Sequence, residues 1–258
     1  MTSPIHPTAI VHRAAELGRD VVIGPYAVVG PGVTVGDESR IAPHAVIERN
    51  TILGRGCDIG VGAVIGGDPQ DLKYRGEPTR VEIGERTRVR EYATINRGST
   101  ATGKTVIGPG CYLMAYVHVG HDCVVDEDVT IANAVQLGGH VHVEAHAGIG
   151  GSSAVHQLAR IGTYAFVGGG SHVRQDVPPY AKVSGNPVRV YGINAVALRR
   201  AGMDAPARLA LQRAFRLLFN SDLTTSEAIE RLRVAEPDTP EIARLIEFVS
   251  RSERGVPV

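Results

Sequence analysis

The sequence predicts a mainly β fold, a parallel β-helix prism, followed by a small α-helical C-terminal domain. Three observations predict it. An aliphatic residue recurs at every sixth position from Ile5 to Val173, interrupted only at Asp71, Glu77 and Ala101. A small or β-branched residue stands four positions later, as in Ala9, Ala27, Ala45, Cys57, Ala93, Cys111 and Cys123. Beyond Val173 that period is lost, and from about residue 193 apolar residues recur at helical spacing, as in Leu211, Ala214, Phe215 and Leu218. A period of six with one large and one small inward slot fits neither an amphipathic helix nor an alternating strand. It fits a stack of short coils.

Three hexads make an 18-residue triangular coil of three short strands, and each coil hydrogen-bonds to the next about 4.8 Å away. One coil cannot bury its own apolar face, so stacking supplies the stability. The Gly that often follows the aliphatic, as in Ile23-Gly24, Val35-Gly36 and Ile161-Gly162, is expected to serve the tight corner backbone, including φ > 0. Hexads run through 5–65, resume at 83–95 and again at 107–173, enough for eight to nine coils. Between them, residues 66–82 and 97–105 are polar and turn-rich, and they read as loops thrown out of the wall. Asp176-Val-Pro-Pro-Tyr180 reads as a terminator. Helices are expected from about 193, near 224–235 with Thr224 or Thr225 as cap, and at 239–252. The chain thus divides into a prism at 1–192 and a helical domain at 193–258.

The 27 basic and 27 acidic residues balance, so charge gives no case for nucleic-acid binding. There is no apolar leader, and no apolar run approaches a membrane span, so a cytoplasmic protein is expected. Cys57, Cys111 and Cys123 share the small inward slot and read as packing residues rather than a disulfide or metal set.

Stacking every 18 residues organises the histidines. His121, Gly139, Gln157 and Gln175 fall in one column, and Asp122, His140, Leu158 and Asp176 in the next. A histidine can take a proton from a hydroxyl near neutral pH, a carboxylate such as Asp122 can orient it, and a Gly backbone N–H can stabilise an oxyanion. The plainer reading makes each histidine an outward-facing surface residue. His6, His12, His44, His142, His146 and His172 are left under it.

Several segments resemble one family closely. Gln70-Asp-Leu-Lys-Tyr-Arg-Gly-Glu-Pro-Thr-Arg-Val-Glu-Ile-Gly84, His118-Val-Gly-His-Asp-Cys123, Gly138-Gly-His140, Ala154-Val-His-Gln157, Gln175-Asp-Val-Pro-Pro179 and Gly185-Asn186 are similar to the UDP-N-acetylglucosamine O-acyltransferases of lipid A synthesis. The hexads alone are shared by many acyltransferases. The resemblance implies a left-handed β-helix and transfer of an (R)-3-hydroxyacyl chain from acyl carrier protein to the sugar 3-hydroxyl. His121 would be the base, oriented by Asp122, with the Gly139 N–H as oxyanion donor. His118 and His140 would position the sugar, with Asp71 and Lys73 reaching it from a neighbouring subunit. His156, Gln157, Asn194 and Arg200 would bind the rest of the nucleotide sugar, and Gly169 would leave room for a long acyl chain. It further implies a homotrimer, no metal and no other cofactor. Arg199, Arg200, Arg208, Arg213 and Arg216 would face the acidic carrier protein. The chain departs from the family pattern at Tyr116, at Val196 and at Arg199-Arg200-Ala201. The alternatives are the related N-acyltransferase, a three-histidine zinc enzyme and a non-catalytic scaffold. The N-acyltransferase normally carries an extra N-terminal domain, whereas here the hexads start at Ile5.

Overall fold

The computed structural model describes residues 5–235 and 239–257. The chain is a left-handed parallel β-helix with three flat faces, capped by helices. The first face runs from Ile10–Val11 through His118–Val119 to His172–Val173 and has nine strands. The second runs from Glu16–Leu17 through Val124–Val125 to Arg160–Ile161, with eight. The third runs from Val22–Ile23 to Phe166–Val167 and ends in a hairpin of Ala181–Gly185 with Val188–Ile193, making ten strands in all.

Most strands are two residues long, and the hexad aliphatic is the inward one. Ile47, Ile59, Leu113, Ile131 and Leu137 are buried in the stacked core. The small slot has a second task beyond packing. Ser39 donates to the Gly54 carbonyl (3.0 Å), Thr87 to Gly108 (2.7 Å), Cys111 to Asp126 (3.0 Å), Cys123 to Gly138 (3.1 Å) and Ser153 to Gly168 (3.1 Å). Each closes a carbonyl at the strand end of the next coil, where an unpaired buried acceptor would cost free energy. This is why hydroxyl and thiol groups recur in a slot that alanine also fills.

The role expected of the glycines needs correcting. Gly36 and Gly162 are not at left-handed φ. A Cβ there would stand 2.6 Å from the Gly54 carbonyl carbon, or 2.3 Å from the Pro179 nitrogen. These glycines allow coils to approach each other. The left-handed backbone lies two residues further on and is mostly non-glycine, as at Tyr26, His44, Tyr92, Tyr116, Asp122 and His140. Such conformations are uncommon for large side chains. Here the backbone ladders on both sides of the corner impose them, and stacking such as Tyr92 on Tyr116 (centroids 5.4 Å apart) accompanies them.

Both excursions leave the corner between the first and second faces. Val81 and Ile83 pair with Thr51 and Leu53, and Ile95 pairs with Val119, so the wall resumes in register after each. Beyond the prism lie α1 (Ala195–Arg200), α2 (Ala205–Phe219), α3 (Thr225–Ala235) and α4 (Pro240–Ser250). Thr224 caps α3 through a reciprocal box with Glu227, whose carboxylate accepts from the Thr224 N–H at 2.8 Å. Helix α4 docks on the prism. Buried Glu144 accepts from Arg160 (3.3 Å), Arg244 (2.9 Å) and the Thr163 N–H (3.0 Å), and Arg160 lies 4.3 Å over the Phe248 ring. The 181–193 hairpin was not expected from the sequence; its alternating Val183, Val188 and Val190 around Gly185-Asn-Pro187 carry the signal.

Candidate active site

The column arithmetic holds at the corner between the first and second faces. His121 Nδ1 faces Asp122 Oδ2 at 2.7 Å, with side chains 14% and 0% exposed. His140 Nε2 lies 3.5 Å from the same oxygen, and its ring meets His121 edge-on with centroids 5.1 Å apart. His118, on the adjoining first-face strand, bonds Thr94 Oγ1 through Nδ1 at 2.8 Å. Burial, and then the proximity of His121, hold the His118 imidazole below its usual pKa, so it sits neutral in the site.

Gly139 lies against His121. A Cβ at this position would stand 2.6 Å from His121 Cε1 and Nε2, so only glycine leaves the imidazole where it is. The Gly139 N–H forms no hydrogen bond among the described residues. The fold has no need of one: Pro25, Pro31, Pro43 and Pro109 occupy equivalent hexad positions elsewhere and have no N–H to give. This corner therefore offers an ionised carboxylate, an imidazole whose Nε2 lies beside Gly139 and an unused amide donor together.

His121, Asp122 and His140 also bring three possible ligand atoms within 4.8 Å, the one such group among the described residues. The 2.7 Å between His121 Nδ1 and Asp122 Oδ2 is a hydrogen-bond separation. Two atoms on tetrahedral zinc at about 2.0–2.1 Å would stand roughly 3.3 Å apart. His118 does not join the group, so the three-histidine arrangement does not form.

Other expected residues lie apart from this cluster. His156 and Gln157 are on the same corner, two coils on, and exposed. His156 Nδ1 lies 3.1 Å from the Arg254 guanidinium, a contact with the chain terminus that the sequence did not signal. Asp71 and Lys73 sit on the first excursion. The Asp71 carboxylate accepts from the Lys73 N–H at 2.9 Å, and no hydrogen bond or ion pair among the described residues joins either to the histidines. Gly169 is at the corner between the third and first faces, its ideal Cβ 3.1 Å from the Gly151 carbonyl oxygen.

Asn194 and Arg200 line a cavity of 790 Å³ at the corner between the second and third faces. Asn194 caps α1 and donates to the Tyr164 carbonyl at 2.9 Å. His146, left aside in the sequence, stacks on Tyr164 at 4.7 Å and joins Phe166 and Lys182 in the lining. These are an aromatic shelf and two cations, the groups that hold a base and an anion. Spacing by 18 links His146, Tyr164 and Lys182, but without the helix behind them the column gave no sign of a cavity.

A family model for UDP N-acetylglucosamine O-acyltransferase, domain 2, matches residues 176–257, and one for bacterial transferase hexapeptide repeats matches 14–49 and 104–139. The chain is 48% identical over 195 residues to the acyl-(acyl-carrier-protein)–UDP-N-acetylglucosamine O-acyltransferase of Alkalilimnicola ehrlichii, covering 75% of this chain and 76% of that one. It is 45% identical to the enzyme of the same name from Burkholderia orbicola, with 75% and 76% covered. The crystal structure of UDP-N-acetylglucosamine O-acyltransferase from Moraxella catarrhalis superposes with a TM-score of 0.94 at 42% identity, covering 99% and 100% of the two chains. The UDP-N-acetylglucosamine acyltransferase of Bacteroides fragilis gives 0.97 at 35% identity over the whole of both.

Proposed function

This chain belongs to the UDP-N-acetylglucosamine O-acyltransferase family, and we propose that it moves an (R)-3-hydroxyacyl chain from acyl carrier protein to the 3-hydroxyl of UDP-N-acetylglucosamine, the entry to lipid A. The observation that carries this reading is the Asp122–His121 pair set against Gly139. His121 Nε2 removes the proton of the sugar hydroxyl as its oxygen attacks the thioester carbonyl. Nδ1–H donates to Asp122, which steadies the imidazolium. The tetrahedral oxyanion takes the free Gly139 N–H. Its collapse breaks the carbon–sulfur bond, and the imidazolium returns the proton to the departing thiolate. No covalent acyl-enzyme is required. His118 and His140 position the sugar.

The working site is shared between prisms of a trimer. Two features support this. The base and the Asn194–Arg200 cavity lie at opposite edges of the second face, so one prism does not present both to one substrate. The first excursion carries Leu72 96% exposed between Asp71 and Lys73, an apolar tip that a neighbouring copy would cover. His156, Gln157, Asn194 and Arg200 then hold the nucleotide diphosphate, with Asp71 and Lys73 on the sugar. Arg199, Arg200, Arg208, Arg213 and Arg216 lie on α1 and α2, where Asp204 at the start of α2 is the sole acid between 195 and 219; this surface suits the acidic carrier protein. Residues 1–192 would thus carry the catalytic groups and part of the nucleotide-sugar site, and 193–258 the rest of that site and the carrier-binding surface. No described helix is long and apolar enough to cross a membrane, and with a carrier-protein donor we place the reaction in the cytoplasm.

The test is mass spectrometry of the product formed from UDP-N-acetylglucosamine and a graded set of 3-hydroxyacyl carrier proteins. O-acylated sugar nucleotide is expected, and none from folded, trimeric His121→Ala. Turnover retained by that variant would refute the base assignment.

A further inference from the structure

The second excursion contributes nothing to the scheme above, yet it touches both halves of the site. Arg97, with a side chain 1% exposed, donates to the Gly66 carbonyl, to the Asp68 carboxylate and to the Tyr74 hydroxyl (2.9 Å). All three acceptors belong to the first excursion. At its other end, the Ser99 N–H donates to Asp122 Oδ1 at 2.9 Å, and the Thr102 hydroxyl, whose one proton is shared between two acceptors, lies against the same oxygen and 2.8 Å from the Lys104 carbonyl. The Asp122 N–H in turn donates to Thr105 Oγ1 at 2.9 Å. A buried guanidinium and a buried carboxylate are costly unless partnered. The first excursion takes up both terminal nitrogens of Arg97, leaving its buried Nε without a partner among the described residues, and the second excursion partners Asp122.

We propose that residues 97–105 are a positioning bridge: Arg97 clamps the loop that carries Asp71 and Lys73, while Ser99 and Thr102 fix the Asp122 rotamer that faces His121. The proposal rests on the general-base reading and deepens it. Arg97 and Thr102 are thus positioning residues, each acting through another residue.

The division of labour on Asp122 is clear. Oδ2 faces His121 and His140, whereas Oδ1 is taken up by the bridge. Burial alone would raise the Asp122 pKa. Hydrogen bonds from Thr102, His121 and Ser99 outweigh it and hold the carboxyl below its ordinary range. The titratable groups around it are His121, His140 and, behind it, Cys123, a thiol that burial pushes up to about 12. Lys104, at the far end of the bridge, is engaged by Glu82 at 2.9 Å. Without the Thr102 hydroxyl the Asp122 carboxylate is more basic and holds a proton up to a higher pH.

The experiment compares kcat/KM against pH for the intact protein, Thr102→Val and Thr102→Ser. The valine variant should move the acid limb up by roughly one pH unit, the order expected for one hydrogen bond to a charged group, and serine should restore it. An unmoved limb in a folded, active Thr102→Val overturns the role of Thr102. For the clamp, amide hydrogen exchange over residues 68–76 needs no turnover. It should rise several-fold in Arg97→Lys and in Asp68→Asn, the second variant leaving the prism wall untouched. Unchanged exchange in both overturns the clamp. Failure of the general-base reading would show separately, as turnover by His121→Ala.

Discussion

Replacing Gly139 by alanine tests His121 as the proposed base more sharply than removing His121. The added methyl would stand 2.6 Å from His121 Cε1 and Nε2 and 3.2 Å from Cδ2. Ordinary contact between such atoms is about 3.5–4.0 Å, so the imidazole must retreat by roughly 1 Å. A displacement of that size costs about a hundredfold in rate, or about 2.7 kcal/mol of barrier at 1.36 kcal/mol per decade. The amide donor survives the substitution, so the loss would belong to the displaced base. Stability should change little, because the three nearest atoms all belong to one side chain and the backbone is not at left-handed φ. Gly138→Ala is the contrast: its Cβ would meet the Gln157 backbone nitrogen at 2.7 Å, so coils must part, at a cost of about 1–3 kcal/mol. Steady-state kcat and thermal melts of the two variants make the comparison. A Gly139→Ala enzyme within threefold of the parent, or one melting as low as Gly138→Ala, would refute the reasoning.

Gly169→Met should shift donor preference toward shorter acyl chains; Gly169→Ala is the companion variant, since any Cβ there presses on the Gly151 carbonyl at 3.1 Å. A chain-length profile unchanged in both would remove the ruler role. The three thiols should resist alkylation at pH 8 in the folded protein, because burial pushes Cys57 up to about 11 and Cys111 and Cys123 up to about 12. Labelling by iodoacetamide before unfolding, read by mass spectrometry, would contradict this.

Periodicity made the prism legible, and the same arithmetic put Gly139 one coil above His121 because stacked coils repeat every 18 residues. It also located both excursions, since losing the aliphatic at Asp71, Glu77 and Ala101 marks where the chain leaves the wall. What the period does not encode stayed hidden. The bridge from Arg97 to Thr102 depends on how two loops fold against one another, which no column fixes. The Asn194 cavity needs α1 laid beside His146 and Tyr164, a contact between two periodic regimes. Glycine was misread for a related reason: spacing locates a corner residue, but only the approach of the next coil shows that Gly36 answers to a neighbour rather than to its own φ.

Coils stacked at a fixed pitch also graduate the molecule. Each step along the prism is about 4.8 Å, whereas an extended alkyl chain advances roughly 1.3 Å per methylene, from a C–C bond near 1.5 Å. A hydrocarbon laid parallel to the axis is therefore marked off in intervals of about four carbons. Moving a blocking side chain up or down by one whole coil would be a coarse adjustment. Resolution of two carbons would then have to come from side-chain bulk within a single graduation, which is the role proposed for Gly169 and tested by its methionine and alanine variants.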